Sequence, residues 1–205
     1  MNATKQALRA FFRKKRNLFV QENKDFLTDH FYQKYSNVIA DLLTNHDITS
    51  QNAACSNPIN IGAFYPVKNE INCLSIIRNL RTVTRNYSFS LPVVPTDGSR
   101  VLTFREYNDE SSLVPGAFQI PVPREDAPIV YPDALLVPML CFTQNRYRLG
   151  YGGGYYDNTI AALKEKKPHL LTIGIAFNIQ ESHEMPLEQH DTQLDYILTE
   201  NRLLH

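Results

Sequence analysis

Cysteine is scarce: the chain has only Cys55, Cys73 and Cys141, scattered without a C-x-x-C pair. That pattern offers no disulfide framework and points to a reducing cytoplasm, with the thiols packing as small apolar groups. No apolar run is long enough to span a membrane and nothing resembles a signal peptide, so neither a membrane partner nor export is expected. An excess of either charge is also lacking, with 21 basic against 21 acidic residues. A broad positive field of the kind that drives nucleic-acid binding through counterion release is thereby excluded, and any charged ligand must be held by a local site. Internal repeats and low-complexity segments are missing too. Glycine is sparse, eight residues in all, which makes its distribution informative.

Four of those eight glycines lie between Gly150 and Gly154, inside the run Arg146-Tyr-Arg-Leu-Gly-Tyr-Gly-Gly-Gly-Tyr-Tyr-Asp157. Without a Cβ in the way, successive backbone N–H groups can turn toward one point and form an anion-binding concavity. A helix expected to begin near Tyr155 adds its positive end. Arg146 and Arg148 can each offer paired hydrogen bonds to phosphate oxygens. The run has neither a Gly-Lys-Ser/Thr ending nor G-x-G-x-x-G spacing, so it is not a Walker A or a dinucleotide loop. A flexible surface turn would gain nothing from arginines, tyrosines and an aspartate gathered into the same dozen residues.

At 205 residues the chain suits one domain over 1–205, with roughly 70% of the unfolded surface buried. The opening is basic: Lys5, Arg9, Arg13 and Arg16 share one helical face, while Leu8 and Phe12, with Ala7 and Phe11, form another. Lys14, Lys15 and Arg16 read as a solvated face. A second helix is expected over about 25–43, where Leu27, Phe31, Tyr35, Val38 and Leu42 recur at helical spacing. Strands are expected over 59–67, 87–94, 100–107, 129–137, 170–177 and 194–199, and helices from about 69–70 onward and over 156–167. The pair 87–94 and 100–107 is either a hairpin or two neighbours joined by a tight loop. Residues 108–128 form the longest irregular stretch and are a candidate lid or pocket wall. Strands alternating with helices predict an α/β fold, a single-domain layered α/β/α arrangement around a mostly parallel, doubly wound, Rossmann-like sheet, with ligands at the carboxyl ends of the strands.

The segment Arg148-Leu-Gly-Tyr-Gly-Gly-Gly-Tyr-Tyr-Asp157, preceded by Tyr131-Pro-Asp-Ala-Leu-Leu-Val-Pro138, resembles the signature of the 5-formyltetrahydrofolate cyclo-ligase (methenyltetrahydrofolate synthetase) family. Lys5-Gln-Ala-Leu-Arg9, Phe64-Tyr-Pro-Val-Lys-Asn-Glu-Ile71, Leu91-Pro-Val-Val94 and the block from His190 to Glu200 are similar to further family segments in the same order. The basic, acid-free first sixteen residues also read like a mitochondrial presequence, but Lys5 and Arg9 coincide with a family block, and cleavage would remove them.

The resemblance implies ATP-driven closure of 5-formyltetrahydrofolate to 5,10-methenyltetrahydrofolate, and a monomer is expected. It implies that Lys5, Arg9, Arg148, Leu149, Gly150, Tyr151, Gly152, Gly153, Gly154, Tyr155 and Tyr156 contact ATP, with Arg148 and Lys5 stabilising the moving phosphoryl charge. It places Tyr65, Glu70, Tyr151, Gly152, Gly153, Gly154 and Tyr155 around the folate, and Asp157 and Asp191 on magnesium, a hard cation suited to a few carboxylates plus phosphate oxygens. Phe118 is a further stacking candidate. Val122 stands where many relatives carry a glutamate, and it cannot replace a carboxylate.

A zinc reading of His183, Glu184 and His190 fails, because the spacing is not H-E-x-x-H and Pro186 breaks any helix that would align them. Two other functions stay open at this level: a non-catalytic folate- or nucleotide-binding module, and an enzyme of phosphosugar or acyl-CoA substrates on a related layered fold.

Overall fold

A computed structural model describes residues 4–46, 58–84 and 86–205. Among the described residues, the α-helices α1 (Lys5–Glu22), α2 (Asp29–Asn45), α3 (Cys73–Val83) and α4 (Tyr155–Lys166) accompany a central sheet. The sheet's parallel core consists of β1 (Ile59–Gly62), β2 (Tyr87–Val93), β7 (Ala134–Pro138), β10 (Leu171–Ile175) and β11 (Tyr196–Leu198). Antiparallel strands finish both edges: β3 (Thr103–Glu106) and β6 (Ile129–Val130) on one side, β12 (Leu203–Leu204) on the other. The full order is β12-β11-β10-β7-β1-β2-β3-β6. Two short ribbons lie apart from it, β4 (Leu113–Pro115) with β5 (Pro121–Pro123), and β8 (Cys141–Phe142) with β9 (Arg148–Leu149).

The central strands read as unbroken apolar runs because both sheet faces are covered. Ala134 and Leu136 of β7 join the cluster formed with α2 and α3, whereas Leu135 and Val137 join the one that holds Ile160 and Leu163 of α4. The sheet is thus wound on both faces, as expected. Gly62 of β1 shows how tightly: a Cβ there would stand 2.7 Å from Cγ of Pro132, 2.9 Å from Cδ1 of Leu135 and 3.0 Å from Cε1 of Phe104. A pyrrolidine ring and a buried phenyl cannot swing aside, so Gly62→Ala is expected to lower unfolding free energy by about 1–3 kcal/mol through overpacking. A urea midpoint that falls at unchanged slope would show this; a midpoint equal to the parent's would contradict it.

Several local expectations give way to tertiary contacts. The segment 129–137 is not one strand but two: β6 pairs with β3 at the edge, and β7 begins four residues later in the centre. Asp133 divides them, its carboxylate accepting from the Asn60 N–H (2.9 Å) and from Lys167 Nζ (2.7 Å). Of the two arrangements open for 87–94 and 100–107, the antiparallel pair is found. The helix expected from about 69–70 starts at Cys73, because Lys68 and Asn69 are left-handed (φ 50° and 64°) and Asn72 caps it by accepting from the Ser75 N–H. Residues 108–128 contain the β4–β5 ribbon and two 3-10 turns. Arg16, expected in solvent, is 1% exposed. Cys73 and Cys141 are buried as small apolar groups, and burial pushes both thiols up to about 12, far from a thiolate nucleophile at neutral pH. Cys55 lies outside the described residues.

Candidate active site

The parallel strands run β2-β1-β7-β10-β11, so the winding reverses between β1 and β7, the point at whose carboxyl ends open α/β sheets take their ligands. Past the end of β1 the chain carries Tyr65 and the turn Val67–Glu70, closed by the Glu70 N–H on the Val67 carbonyl at 3.1 Å. Past the end of β7 it enters the β8–β9 hairpin and then the glycine run. Two segments some eighty residues apart in sequence are brought together there, and Tyr151 Oη donates to Glu70 Oε1 at 2.7 Å.

Within the run, Gly152 (φ 106°) and Gly154 (φ 70°) occupy backbone conformations closed to most L side chains. Gly154 is the N-cap of α4 and no side chain caps this helix, which leaves its first N–H groups for a ligand. From α1, Arg9 Nε donates to the Gly150 carbonyl at 3.0 Å, and its Cζ would lie 3.3 Å from a Cβ at Gly152. On the other side, Arg100 Nη1 would be 3.8 Å from a Cβ at Gly154.

Arg148 projects from β9 into the interior, its side chain 4% exposed, with Nη2 3.0 Å from Asp157 Oδ2. The contact is an ion pair without an aligned hydrogen bond: neither Nε nor Nη2 finds an acceptor in proper geometry among the described residues. Burial lowers the guanidinium's pKa, and Asp157, then Tyr156 and Asp191, oppose that shift. A buried cation with donors to spare is suited to an incoming anion. Lys5 Nζ meets Asp191 at 2.7 and 3.1 Å and Glu188 at 3.2 Å. Asp157 and Asp191 are themselves linked through the Thr192 N–H, which points at Asp157 Oδ1 over 3.4 Å. Both are partly buried hard oxygen donors, a set that fits magnesium. Glu188, His190 and Asp191 also place donor atoms within 4.8 Å of one another. That grouping differs from the His183–Glu184–His190 set considered above, and it shares Asp191 with the Asp157–Asp191 pair.

The pterin side of the expected site is built around Glu70. Its Oε2 accepts from the Val67 N–H at 3.0 Å, and its pKa is raised by burial against the opposing effects of that N–H, Arg16 and Tyr151. Tyr65 is half-buried against the main core, and Tyr155 packs on the second cluster. The Tyr156 hydroxyl is buried and has no hydrogen-bond partner among the described residues, with the Arg148 guanidinium 5.6 Å from the ring centroid. Leu149 fills a small cluster with Phe12 and Cys141 that seats α1 against the hairpin.

Not every residue singled out in the sequence converges here. Arg146 is left-handed (φ 61°) and gives Nε to the Leu194 carbonyl at 3.0 Å, a loop-closing role. Phe118 is 76% exposed at the tip of the β4–β5 ribbon, and Val122 is buried within that ribbon. The residue that sequence reasoning missed is Arg16, whose guanidinium reaches Tyr151 Oη at 2.6 Å. Its one signal was a place on the Lys5–Arg9 face of α1.

The chain matches the 5-formyltetrahydrofolate cyclo-ligase family over residues 1–200. It is 29% identical to 5-formyltetrahydrofolate cyclo-ligase of Escherichia coli K12 over 148 residues, 70% of this chain and 79% of that one. To the Mycoplasma pneumoniae enzyme of the same name it is 37% identical over 68 residues, covering 33% of this chain and 39% of the other. Among solved structures, the fold is similar to the 5,10-methenyltetrahydrofolate synthetases of Aquifex aeolicus and Mycoplasma pneumoniae. Each superposes with a TM-score of 0.68 at 22% identity and covers 97% of this chain, against 91% and 99% of theirs. With sequence match and fold in agreement along almost its whole length, this chain belongs to the 5-formyltetrahydrofolate cyclo-ligase family.

Proposed function

We propose that this protein is the ATP-dependent ligase that closes 5-formyltetrahydrofolate to 5,10-methenyltetrahydrofolate, releasing ADP and phosphate, and that the site at the carboxyl ends of β1 and β7 is where it does so. The observation that carries the placement is Arg148, a buried guanidinium with unused donors beside a glycine-built concavity whose next residue but two, Tyr151, touches Glu70.

The formyl oxygen is a poor leaving group. Transfer of the γ-phosphoryl to it makes a new O–P bond as the bond to ADP breaks; N10 then attacks the formyl carbon, loses its proton, and the oxygen departs as phosphate. No covalent enzyme nucleophile is needed. The chain's work is alignment and charge neutralisation. Backbone N–H groups of residues 150–156 and the side chains of Lys5, Arg9 and Arg148 serve the phosphates. Glu70, Tyr151, Tyr65 and Tyr155 serve the pterin, and the Glu70 carboxylate accepts from its N–H edge. Asp157 and Asp191 would hold magnesium, which supplies positive charge beside the phosphate oxygens. Among the described residues no helix is long and apolar enough to cross a membrane, and we place the enzyme in the cytoplasm as a monomer.

The test is direct. With magnesium, ATP and 5-formyltetrahydrofolate, the methenyl chromophore is expected to appear with one ADP per turnover; ADP without chromophore, or neither, would refute the reading. Asp157→Asn is expected to weaken magnesium-dependent turnover far more than thermal stability. Kinetics unchanged across a magnesium titration would remove Asp157 from the metal.

A further inference from the structure

We infer that Arg16 is a positioning residue for the folate, acting through Tyr151 on Glu70; the inference rests on the proposed function of this site. Arg16 is among the largest fully buried side chains. A charge buried this deeply must be compensated, and the compensation here is specific. Nη1 donates to the Met139 carbonyl at 3.1 Å, while Nη2 donates to the Lys68 carbonyl at 2.9 Å and to Tyr151 Oη at 2.6 Å. The nearest carboxylate, Glu70, is 3.9 Å from Nη1.

A guanidinium has only hydrogens to give, so Tyr151 Oη must accept from it. The phenol's own hydrogen is thereby directed onto Glu70 Oε1, 2.7 Å away. Donation runs one way, Arg16 to Tyr151 to Glu70, and the Val67 N–H fixes the second carboxylate oxygen. The remaining lone pairs of Glu70 then have a set direction, which a planar heterocycle with adjacent N–H donors requires. Arg16 also holds the Lys68 carbonyl, in a turn where Lys68 and Asn69 are both left-handed. The same helix reaches the glycine run with Arg9 and Asp191 with Lys5. One rigid element therefore sets the spacing between the phosphate side and the pterin side.

The variants are Arg16→Met, Arg16→Lys, Tyr151→Phe and the Arg16→Met/Tyr151→Phe double. Arg16→Met is expected to raise KM for 5-formyltetrahydrofolate on the order of tenfold, as loss of a buried charged hydrogen bond does, with KM for ATP changed less than about twofold. Arg16→Lys should recover part of the loss. Tyr151→Phe cuts the relay while sparing both carbonyl bonds of Arg16, and it must raise the folate KM selectively even if Arg16→Met fails to fold. In the double variant, Arg16→Met should add much less than it costs alone, since both changes break one chain. Equal rises in both KM values, full additivity, or a loss that follows thermal stability would overturn the inference in an active parent. A parent that does not turn over 5-formyltetrahydrofolate would overturn this inference and the proposed function together.

Discussion

Arg148→Ala is expected to cut kcat on the order of a hundredfold, the scale seen when one preorganised charge-stabilising donor is removed. The argument is about solvent as much as charge. Arg148 is screened by almost no water, and among the described residues its Nε and Nη2 have no acceptor aligned to them, so the folded chain holds donors ready before any nucleotide arrives. Alanine also strands Asp157 without its cation, which costs stability in its own right. Two companions separate these effects. Arg148→Lys keeps a positive charge but loses the planar fork, and should remain well below the parent in kcat. Arg148→Ala/Asp157→Asn removes the stranded carboxylate and should regain thermal stability without regaining turnover. If lost melting temperature accounted for all lost activity in Arg148→Ala, the residue would be structural.

The second large effect is expected at Gly152, where Ala should lower kcat/KM for ATP by roughly tenfold or more. Its φ of 106° lies in a region that costs an L residue about 1–2 kcal/mol, roughly a factor of ten in rate or affinity. The new methyl would also press on Arg9 Cζ at 3.3 Å, and Arg9 is bonded to the Gly150 carbonyl. Relaxing either strain turns backbone N–H groups away from the phosphates. The position is exposed, so the melting temperature should move by only a few degrees. An unchanged KM for ATP with a large stability loss would contradict the concavity.

The backbone bend at the glycine run was legible because glycine alone readily takes the positive φ found at Gly152 and Gly154, and β1, β7 and β10 because strands buried on both faces show continuous apolar stretches. What was hidden depended on distant partners. The division between β6 and β7 comes from Asp133 binding Asn60 and Lys167, neither adjacent to it in sequence. The β8–β9 hairpin is only two residues per strand, too short for alternation to register. Arg16 looked solvated because its acceptors at residues 68 and 139 are supplied by other parts of the chain. Arg146 and Arg148 looked equivalent, yet a left-handed backbone at Arg146 sends it to Leu194, while β9 turns Arg148 inward.

The Lys5–Asp191 contact joins positions 186 apart, and Arg9–Gly150 joins positions 141 apart. A polypeptide still being translated therefore owns the helix and later the glycines, but cannot close them into a binding cleft until residue 191 has left the ribosome. Nucleotide or folate can therefore stabilise this fold only once residue 191 is available to it, so ligand supply acts on chains past that point and not on shorter nascent ones.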